Sequence, residues 1–423
     1  MNPVAVYRGL PVSVYVVFIA RIVNSLGNFV FPFLSLFLTT KLGLSKAETG
    51  FFIMLASTVH VPGSMLGGKL SDHMGRKLVV VGGMTLSALS LVPCALLGIS
   101  PLVPWLVLAA GFFMALSAPA QSAMITDLTT PDTRKATFSL LYLGHNIGFA
   151  VGPMIAGFLF RSHLPLLFLG DAATTLLSIA LVARFVPETA PHAASAVAAA
   201  RADGVLETEV SVLPESERAE RGSVLEVLLR RPILLVSSFL LLIYSLVYSQ
   251  HIFSLPIQMQ ALFGDVGAVY YGTLMSVNAI TVVVLTSSIT TATLKVRPMV
   301  SMGLAGLFFA AGFGMIYLIH SVPLLLVSTV VWTIGEVLNS VNSGVFIANN
   351  SPSSHRGRIS AVLDIIAGAG FAFGPWLGGM WIEVHPIQTV WAASFFLALG
   401  TAALMFFFAG ARGLKPGVAA NLD

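Results

Sequence analysis

Gly68-Lys69-Leu70-Ser71-Asp72-His73-Met74-Gly75-Arg76-Lys77 is a charged island between two apolar runs, at roughly 48–68 and 78–98. Each run is about the 20 residues that a bilayer-spanning helix requires. Two such runs joined by a short turn form a hairpin whose solvent is lipid. The same reading extends outward along the chain. Comparable runs fall at roughly 12–39, 102–125, 135–160 and 164–186, and then at 233–262, 267–290, 298–318, 322–347, 357–382 and 388–410. The pattern is six spans, a break, and six more.

Composition agrees. Hydrophobic residues make up 56% of the 423 positions and charged residues 9%, against roughly 25% charged in soluble domains. So few charges cannot coat a water-soluble globule of this size, whereas a bilayer removes the need. The sequence pI is about 9.3, but the basic residues sit in short gaps between apolar runs, which excludes a nucleic-acid partner. Cys94 is the lone cysteine, so a disulfide framework and a cysteine metal site are both excluded. No metal or cofactor is expected. The absence of G-x-x-x-x-G-K-[ST] argues against ATP drive. The first apolar run is too long for a signal-peptide core and lacks a following small-residue cleavage site, so it is expected to stay as the first span.

The fold class expected is therefore all-α integral membrane, with twelve transmembrane helices in two pseudo-symmetric six-helix bundles. The bundles cover residues 1–186 and 232–423, joined by a linker at 187–231. The linker is Ala-rich from Ala193 to Ala200 and then acidic, with Glu207, Glu209, Glu215, Glu217 and Glu220. It closes in Val224–Arg231, which reads as a short amphipathic helix on the membrane surface. With the N-terminus inside, 18 of the 22 Lys and Arg fall on the cytoplasmic side. Lys41, Lys46 and Arg161 fall outside and Arg21 within a span. This asymmetry places both termini in the cytoplasm of a multi-pass plasma or inner membrane protein.

The halves repeat. Arg134 leads to Pro153 within Gly148-x-x-x-Gly152-Pro153, and Arg356 leads to Pro375 within Gly370-x-x-x-Gly374-Pro375; all four positions are offset by 222 residues. Pro32 in span one and Pro256 in span seven are offset by 224. Internal duplication of this kind belongs to two-lobed transporters, whose substrate site lies between repeats near mid-membrane.

The 68–77 stretch resembles the signature loop of the major facilitator superfamily, G-x-L-[SA]-D-x-x-G-R-[KR], at six defined positions. Twelve spans, a 6+6 division and a central linker are family features too, so the resemblance covers the whole chain. In the loop itself, Gly68 and Gly75 allow a tight turn and close helix approach. Asp72 can face the positive N-terminal end of a neighbouring helix, which the resemblance makes span eleven, beginning near Arg356. Arg76 can pair with Asp127 at the end of span four. Together with Lys77 and Arg134 these residues would form a latch that closes one side of the protein. The matching loop of the second half carries only Lys295-x-Arg297-Pro298, so the latch is expected to be one-sided.

Gly148-x-x-x-Gly152-Pro153-x-x-x-Gly157 resembles the fifth-span motif of drug/proton antiporters, where small residues pack closely and Pro permits bending. Tyr248-Ser249-Gln250 with Leu255-Pro256, and Gly335-Glu336 in span ten, resemble a subgroup of proton-coupled multidrug exporters that carries a Glu at this place. The chain departs from that subgroup at Phe138–Tyr142, which lacks the span-five acid. It also departs from other drug antiporters at Gly111–Gln121, which lacks a span-four Arg.

Charges at bilayer depth cost at least about 2.5–3.5 kcal/mol, and such residues mark function. Glu336 is the expected proton carrier. Asp364 and Asp171 are either further proton sites or structural ties. Arg21 shares a helical face with Asn24 and Asn28 and needs a counter-charge; an acid elsewhere in the bundle is expected to supply it, with a carboxylate or phosphate substrate as the alternative. The expected cavity lining is Arg21, Asn24, Asn28, Asn146, Tyr244, Tyr248, Gln250, Tyr271 and Asn278, with Phe31 and Phe253 as stacking surface. His60, His145 and His251 are read as polar packing or cavity residues.

These readings point to a secondary active transporter that works by alternating access, expels a small amphipathic molecule and admits protons. Its partners are the lipid bilayer, the small-molecule substrate and protons, and it is expected to act as a monomer. A proton-coupled importer of a sugar or organic acid is the alternative, and a non-transporting membrane scaffold a third class.

Overall fold

The computed structural model describes residues 7–189, 224–352 and 356–410. The Ala-rich and acidic parts of the linker lie outside the described residues. Among the described residues there is no strand, and eleven helical stretches are long and apolar enough to cross a membrane. One of them, Pro232–Thr293, is 62 residues long. It breaks after Ser249 and again after Phe263, which divides it into spans seven and eight. Twelve spans result.

In order these are span one (Val12–Leu26, Val30–Leu36 and a π-helical turn Phe37–Lys41), span two (Lys46–Met74), span three (Arg76–Leu97) and span four (Val103–Asp127). Span five has two pieces, Pro131–Phe149 and Gly152–Ser162, and span six is Leu164–Phe185. A short helix, Val224–Arg230, precedes span seven, which also has two pieces (Pro232–Ser249 and Ser254–Phe263). Spans eight to twelve are Gly267–Thr293, Pro298–Met315, Val322–Asn350, Arg356–Val384 and Thr389–Gly410.

Local chemistry sets the ends. Ser45 opens span two with a reciprocal box: Glu48 N–H donates to Ser45 Oγ at 3.2 Å, and Ser45 N–H donates to Glu48 Oε2 at 2.9 Å. Two backbone donors that helix formation would orphan are thereby satisfied. Spans four, six, seven, nine and ten each carry Pro at a first-turn position, where its missing N–H is no loss. Pro153 and Pro375 behave differently despite their shared motif. Span five is interrupted just ahead of Pro153, whereas span eleven runs unbroken through Pro375. Outward positions are apolar, as lipid demands: Ile19, Trp105, Phe158, Leu177, Phe239, Phe396 and Phe407 are all more than half exposed.

Packing divides the chain into two compact units. One holds the first six spans together with Leu255–Val283; the other holds the first piece of span seven, the rest of span eight and spans nine to twelve. This division cuts through spans seven and eight, whereas the sequence repeat divides at the linker. The cause is close contact inside the first unit. A Cβ on Gly157 would lie 2.5 Å from the Ala268 carbonyl oxygen, and one on Gly272 would overlap the Pro153 carbonyl oxygen. Phe33 adds an edge contact to Tyr271, centroids 5.2 Å apart, and a stacked contact to Phe160 at 5.7 Å.

Within each unit the repeated glycines perform the same task. A Cβ at Gly148 would overlap the Ile22 carbonyl oxygen, and one at Gly152 would come within 2.5 Å of the Leu26 carbonyl oxygen, so spans five and one touch through their backbones. In the second unit, a Cβ at Gly370 would overlap the Leu242 carbonyl oxygen, and Gly374 faces Ser249 and the Leu246 carbonyl oxygen. Ile22 and Leu242, and likewise Leu26 and Leu246, are 220 residues apart. The duplication thus extends from sequence to contact. Lipid supplies no hydrophobic drive between helices, so such small-residue seams carry much of the packing energy.

Candidate functional site

The site is built on the break in span one. Regular helical hydrogen bonding stops at Gly27–Asn28–Phe29 and restarts at Val30; the Asn28 and Phe29 N–H groups make only short-range bonds, to the Ser25 and Gly27 carbonyl oxygens. Asp171 on span six supplies a further acceptor. Its Oδ2 takes N–H bonds from Phe29 and Val30, both at 3.1 Å. Close approach makes this reach possible, because any side chain on Gly27 would collide with Thr174. Of the two readings open for Asp171 in the sequence, the geometry is that of a cap on a broken helix, with its carboxyl also lining a cavity.

Two cavities lie in the first unit on either side of Arg21. The first, about 360 Å³, is nearer the Asp127 end of span four and is lined by residues of spans one, three, four, five and six, among them Val80, Met84, Gln121, Phe138 and Tyr142. The second, about 250 Å³, is nearer the Val103 end and is lined by Asn28, Phe31, Leu91, Gly111 and Asp171, among others. Arg21, Asn24 and His145 line both. Asn24 is held by donating to Thr175 Oγ1 at 3.1 Å, and His145 Nδ1 lies 2.8 Å from Ser25 Oγ. Gln121 donates to Ser117 Oγ at 3.0 Å. Arg21 is exposed to this space. The acid expected to pair with it is not found: among the described residues no carboxylate lies within ion-pair distance of its guanidinium. Asp171, which shares the second cavity, has its Oδ2 committed to the span-one backbone.

Several residues expected at the cavity are packed elsewhere. Tyr244 is 1% exposed, donates to the Met302 carbonyl oxygen at 3.2 Å and lies against Gly306. Tyr271 and Phe253 are fully buried, and Asn278 is buried. Asn146 is buried and donates back to the Tyr142 carbonyl oxygen at 2.9 Å. Gln250 is buried too: it donates to the Gly374 carbonyl oxygen at 2.9 Å and accepts from Ser254 Oγ at 2.6 Å, so it ties the break in span seven to span eleven. Tyr248 belongs to an aromatic cluster with His251, Phe309, Trp332 and Phe371. None of these residues lines the two cavities. The reason is common to all: a large or polar side chain on a helix face meets a neighbouring helix as readily as a cavity, and one chain's spacing does not separate the two. His60 is half-buried, its ring edge 3.9 Å from where a Gly111 Cβ would stand.

The titratable candidates of the second unit are placed on separate spans. Glu336 is half-buried in span ten, beside Gly335, whose missing Cβ lets the helix approach the Ala305 carbonyl oxygen. Asn342, further along the same span, donates to the Leu338 carbonyl oxygen at 2.8 Å. Asp364 is exposed on span eleven.

At the loop between spans two and three, Arg76 is the hub. Its Nη1 donates to Asp72 Oδ1 at 2.6 Å and to Ser71 Oγ at 2.9 Å, and its Nε lies 3.5 Å from Asp127 Oδ2. Arg134 donates to the Thr126 carbonyl oxygen at 3.4 Å, beside the same helix end. Gly75 takes φ +99° and ψ +154°, a conformation essentially reserved for glycine. Gly68 is a correction: a Cβ there would meet nothing within 4 Å, and it is Gly67 that touches the Leu116 carbonyl oxygen on span four. Sequence reading missed Glu188. Its Oε1 accepts the Lys77 N–H at 3.1 Å, and its carboxyl sits 2.9 Å from where a Gly75 Cβ would stand, so it caps the start of span three. The available signal was an acid just past the end of span six, matched to a helix N-terminus that lacks a capping side chain.

Among the described residues no group of three or more His, Cys, Asp or Glu is placed to hold a metal ion.

Similarity to known proteins agrees with this architecture. The family model described as Major Facilitator Superfamily matches residues 17–311. The chain is 25% identical over 384 residues to the uncharacterised MFS-type transporter YqjV of Bacillus subtilis, covering 89% of this chain and 88% of that one. It is 30% identical over 167 residues to the multidrug resistance protein MdtH of Photorhabdus laumondii, a match that covers 38% of this chain and 41% of that protein. Among solved structures, a D-xylose–proton symporter superposes with a TM-score of 0.71 at 15% identity, over 96% of this chain and 99% of that one, a likeness of fold. A model match over more than half the chain, a relative aligned along nearly its whole length and twelve spans with the 68–77 loop all agree: this chain belongs to the major facilitator superfamily, whose members are multi-pass membrane transporters.

Proposed function

We propose that the protein is a proton-coupled exporter of small amphipathic molecules. The observation that carries this reading is the pair of cavities meeting at Arg21, Asn24 and His145 in the first unit. Their volumes, about 360 and 250 Å³, straddle the lower end of the range for small-molecule sites. Their walls are apolar with a few placed polar groups, which suits an amphipathic ligand. The partial likeness to a multidrug resistance protein supports export over import.

The chain's own residues divide the work. The two six-helix halves work by alternating access, so that the substrate is exposed to one side at a time. Arg76 with Asp72 and Asp127 holds the loop between spans two and three in one state and releases it in the other. Glu336 takes a proton from outside and loses it inside, and this coupled cycle drives the substrate outward. Entry of one proton down 100 mV supplies about 2.3 kcal/mol, and one pH unit adds about 1.4 kcal/mol. Both termini are assigned to the cytoplasm of the plasma or inner membrane, and the working unit is the monomer.

Direction is the testable part. Inside-out vesicles carrying the protein, energised acid inside, should accumulate a fluorescent amphipathic substrate and dissipate the pH gradient as they do. Accumulation only in right-side-out vesicles would establish the nutrient importer instead.

A further inference from the structure

We infer that the exported molecule is an organic anion whose carboxylate docks on Arg21. The inference rests on the reading of the cavities as the substrate's and names the class they select.

The argument is one of charge. A guanidinium stays protonated under all physiological conditions, so it must be compensated by a fixed acid, by water or by a ligand. Arg21 lies in the tenth position of the first helical piece of span one, at membrane depth, and is exposed to the cavity. Among the described residues it has no carboxylate at ion-pair distance. The nearby carboxylate that lines the second cavity, Asp171, is engaged by the Phe29 and Val30 N–H groups. Arg21 therefore stands at the junction of two cavities with no ion-pair partner among the described residues, and a ligand cation approaching it would meet repulsion in a medium of low dielectric.

The surroundings supply the remaining features of an anion site. Asn24 is pinned by Thr175 and His145 by Ser25, so polar groups beside Arg21 are held in place before a ligand arrives. The planar guanidinium offers two parallel donors that match a carboxylate's two oxygens. The wall on the Asp127 side of Arg21, with Val80, Met84 and Phe138, accepts an apolar body. The ligand so defined is a monocarboxylate with an aromatic or aliphatic body of drug-like size.

The test compares three compounds that share one body: naphthalene-2-carboxylate, naphthalene-2-carboxamide and 2-naphthylmethylammonium. Binding to the full chain in detergent at neutral pH is followed by isothermal titration, for wild type, Arg21→Gln and Arg21→Lys, each first checked for monodispersity. Wild type should prefer the carboxylate over the amide and the ammonium by about ten- to a hundredfold, the range of a charge-assisted bidentate contact. Arg21→Gln should erase that preference while amide binding persists, and Arg21→Lys should keep part of it. Tightest binding of the ammonium, an unchanged carboxylate preference in Arg21→Gln, or no binding of any of the three at millimolar concentration would each overturn the inference. These arms report charge selectivity alone. A carboxylate that binds as stated yet never moves protons in proteoliposomes would sink the export reading instead, so the two failures are separable.

Discussion

Replacing Gly152 by Ala tests the close seam between spans one and five with a single methyl group. The new Cβ would stand 2.5 Å from the Leu26 carbonyl oxygen, 3.1 Å from the Leu26 carbonyl carbon and 3.2 Å from the Ser25 carbonyl oxygen. All three are backbone atoms, so no rotamer change relieves them. Ordinary contact at about 3.5–4.0 Å requires the helices to separate by about 1 Å along a seam that also includes Gly148. Overpacking of this kind costs about 1–3 kcal/mol, offset in part by the roughly 0.5–1 kcal/mol that Ala gains over Gly in a helix. The repeat provides an internal control. At Gly374 the first atom met is the Ser249 hydroxyl, which can rotate, and the Leu246 carbonyl oxygen is 3.0 Å away. Gly374→Ala should therefore cost less than Gly152→Ala, even with the loss of the Ser249 hydroxyl's 2.7 Å bond to the Leu246 carbonyl oxygen. Thermal unfolding of both variants in the same detergent, followed by size-exclusion recovery, compares them directly. Gly152→Ala should unfold several degrees below wild type and below Gly374→Ala. A Gly152→Ala protein as stable as wild type, or a reversed order, would refute the backbone-contact account of the repeated motif.

Two further outcomes follow from the same geometry. Asp171→Ala leaves the Val30 N–H without its side-chain acceptor at membrane depth and the Phe29 N–H with only the Gly27 carbonyl oxygen; at about 1–3 kcal/mol for an unsatisfied buried donor, it should lower thermal stability by more than Asp171→Asn, which keeps one acceptor, and equal losses would contradict the cap. Asp72→Asn leaves Arg76 its partner Asp127 and a neutral acceptor, and removes only the charge of a mostly exposed carboxylate, so the protein should insert and fold with near-normal stability while transport in vesicles falls; full turnover would discount the latch.

The architecture was legible because lipid imposes length and composition directly: apolar runs of spanning length, with charges gathered in the gaps, leave little else to form. The repeat was legible for a related reason, since a glycine that touches a backbone tolerates no substitute, and the pattern around Pro153 recurs at Pro375. Arg21, Asn24 and Asn28 were legible as a polar face on span one because helical spacing gathers them. What spacing does not reveal is which neighbour a polar residue meets. Gln250 reads as a cavity residue and instead bonds the span-eleven backbone; Tyr244 reads alike and fills the space against Gly306. Asp171 reads as either a proton site or a structural tie, and what separates the two is a break in span one that only the three-dimensional path makes visible. Glu188 escaped notice because its partner, the Lys77 N–H, is more than a hundred residues away in sequence.

Coupling through Glu336 is the claim on which the exporter account stands, and one paired measurement addresses it. Wild type and Glu336→Gln are reconstituted in proteoliposomes, and each is assayed for pH-driven substrate accumulation and for counterflow exchange without a gradient. The account predicts that Glu336→Gln loses accumulation and keeps exchange, because alternating access survives while the proton has no carrier. A Glu336→Gln protein that still concentrates substrate against its gradient at the wild-type rate would contradict it.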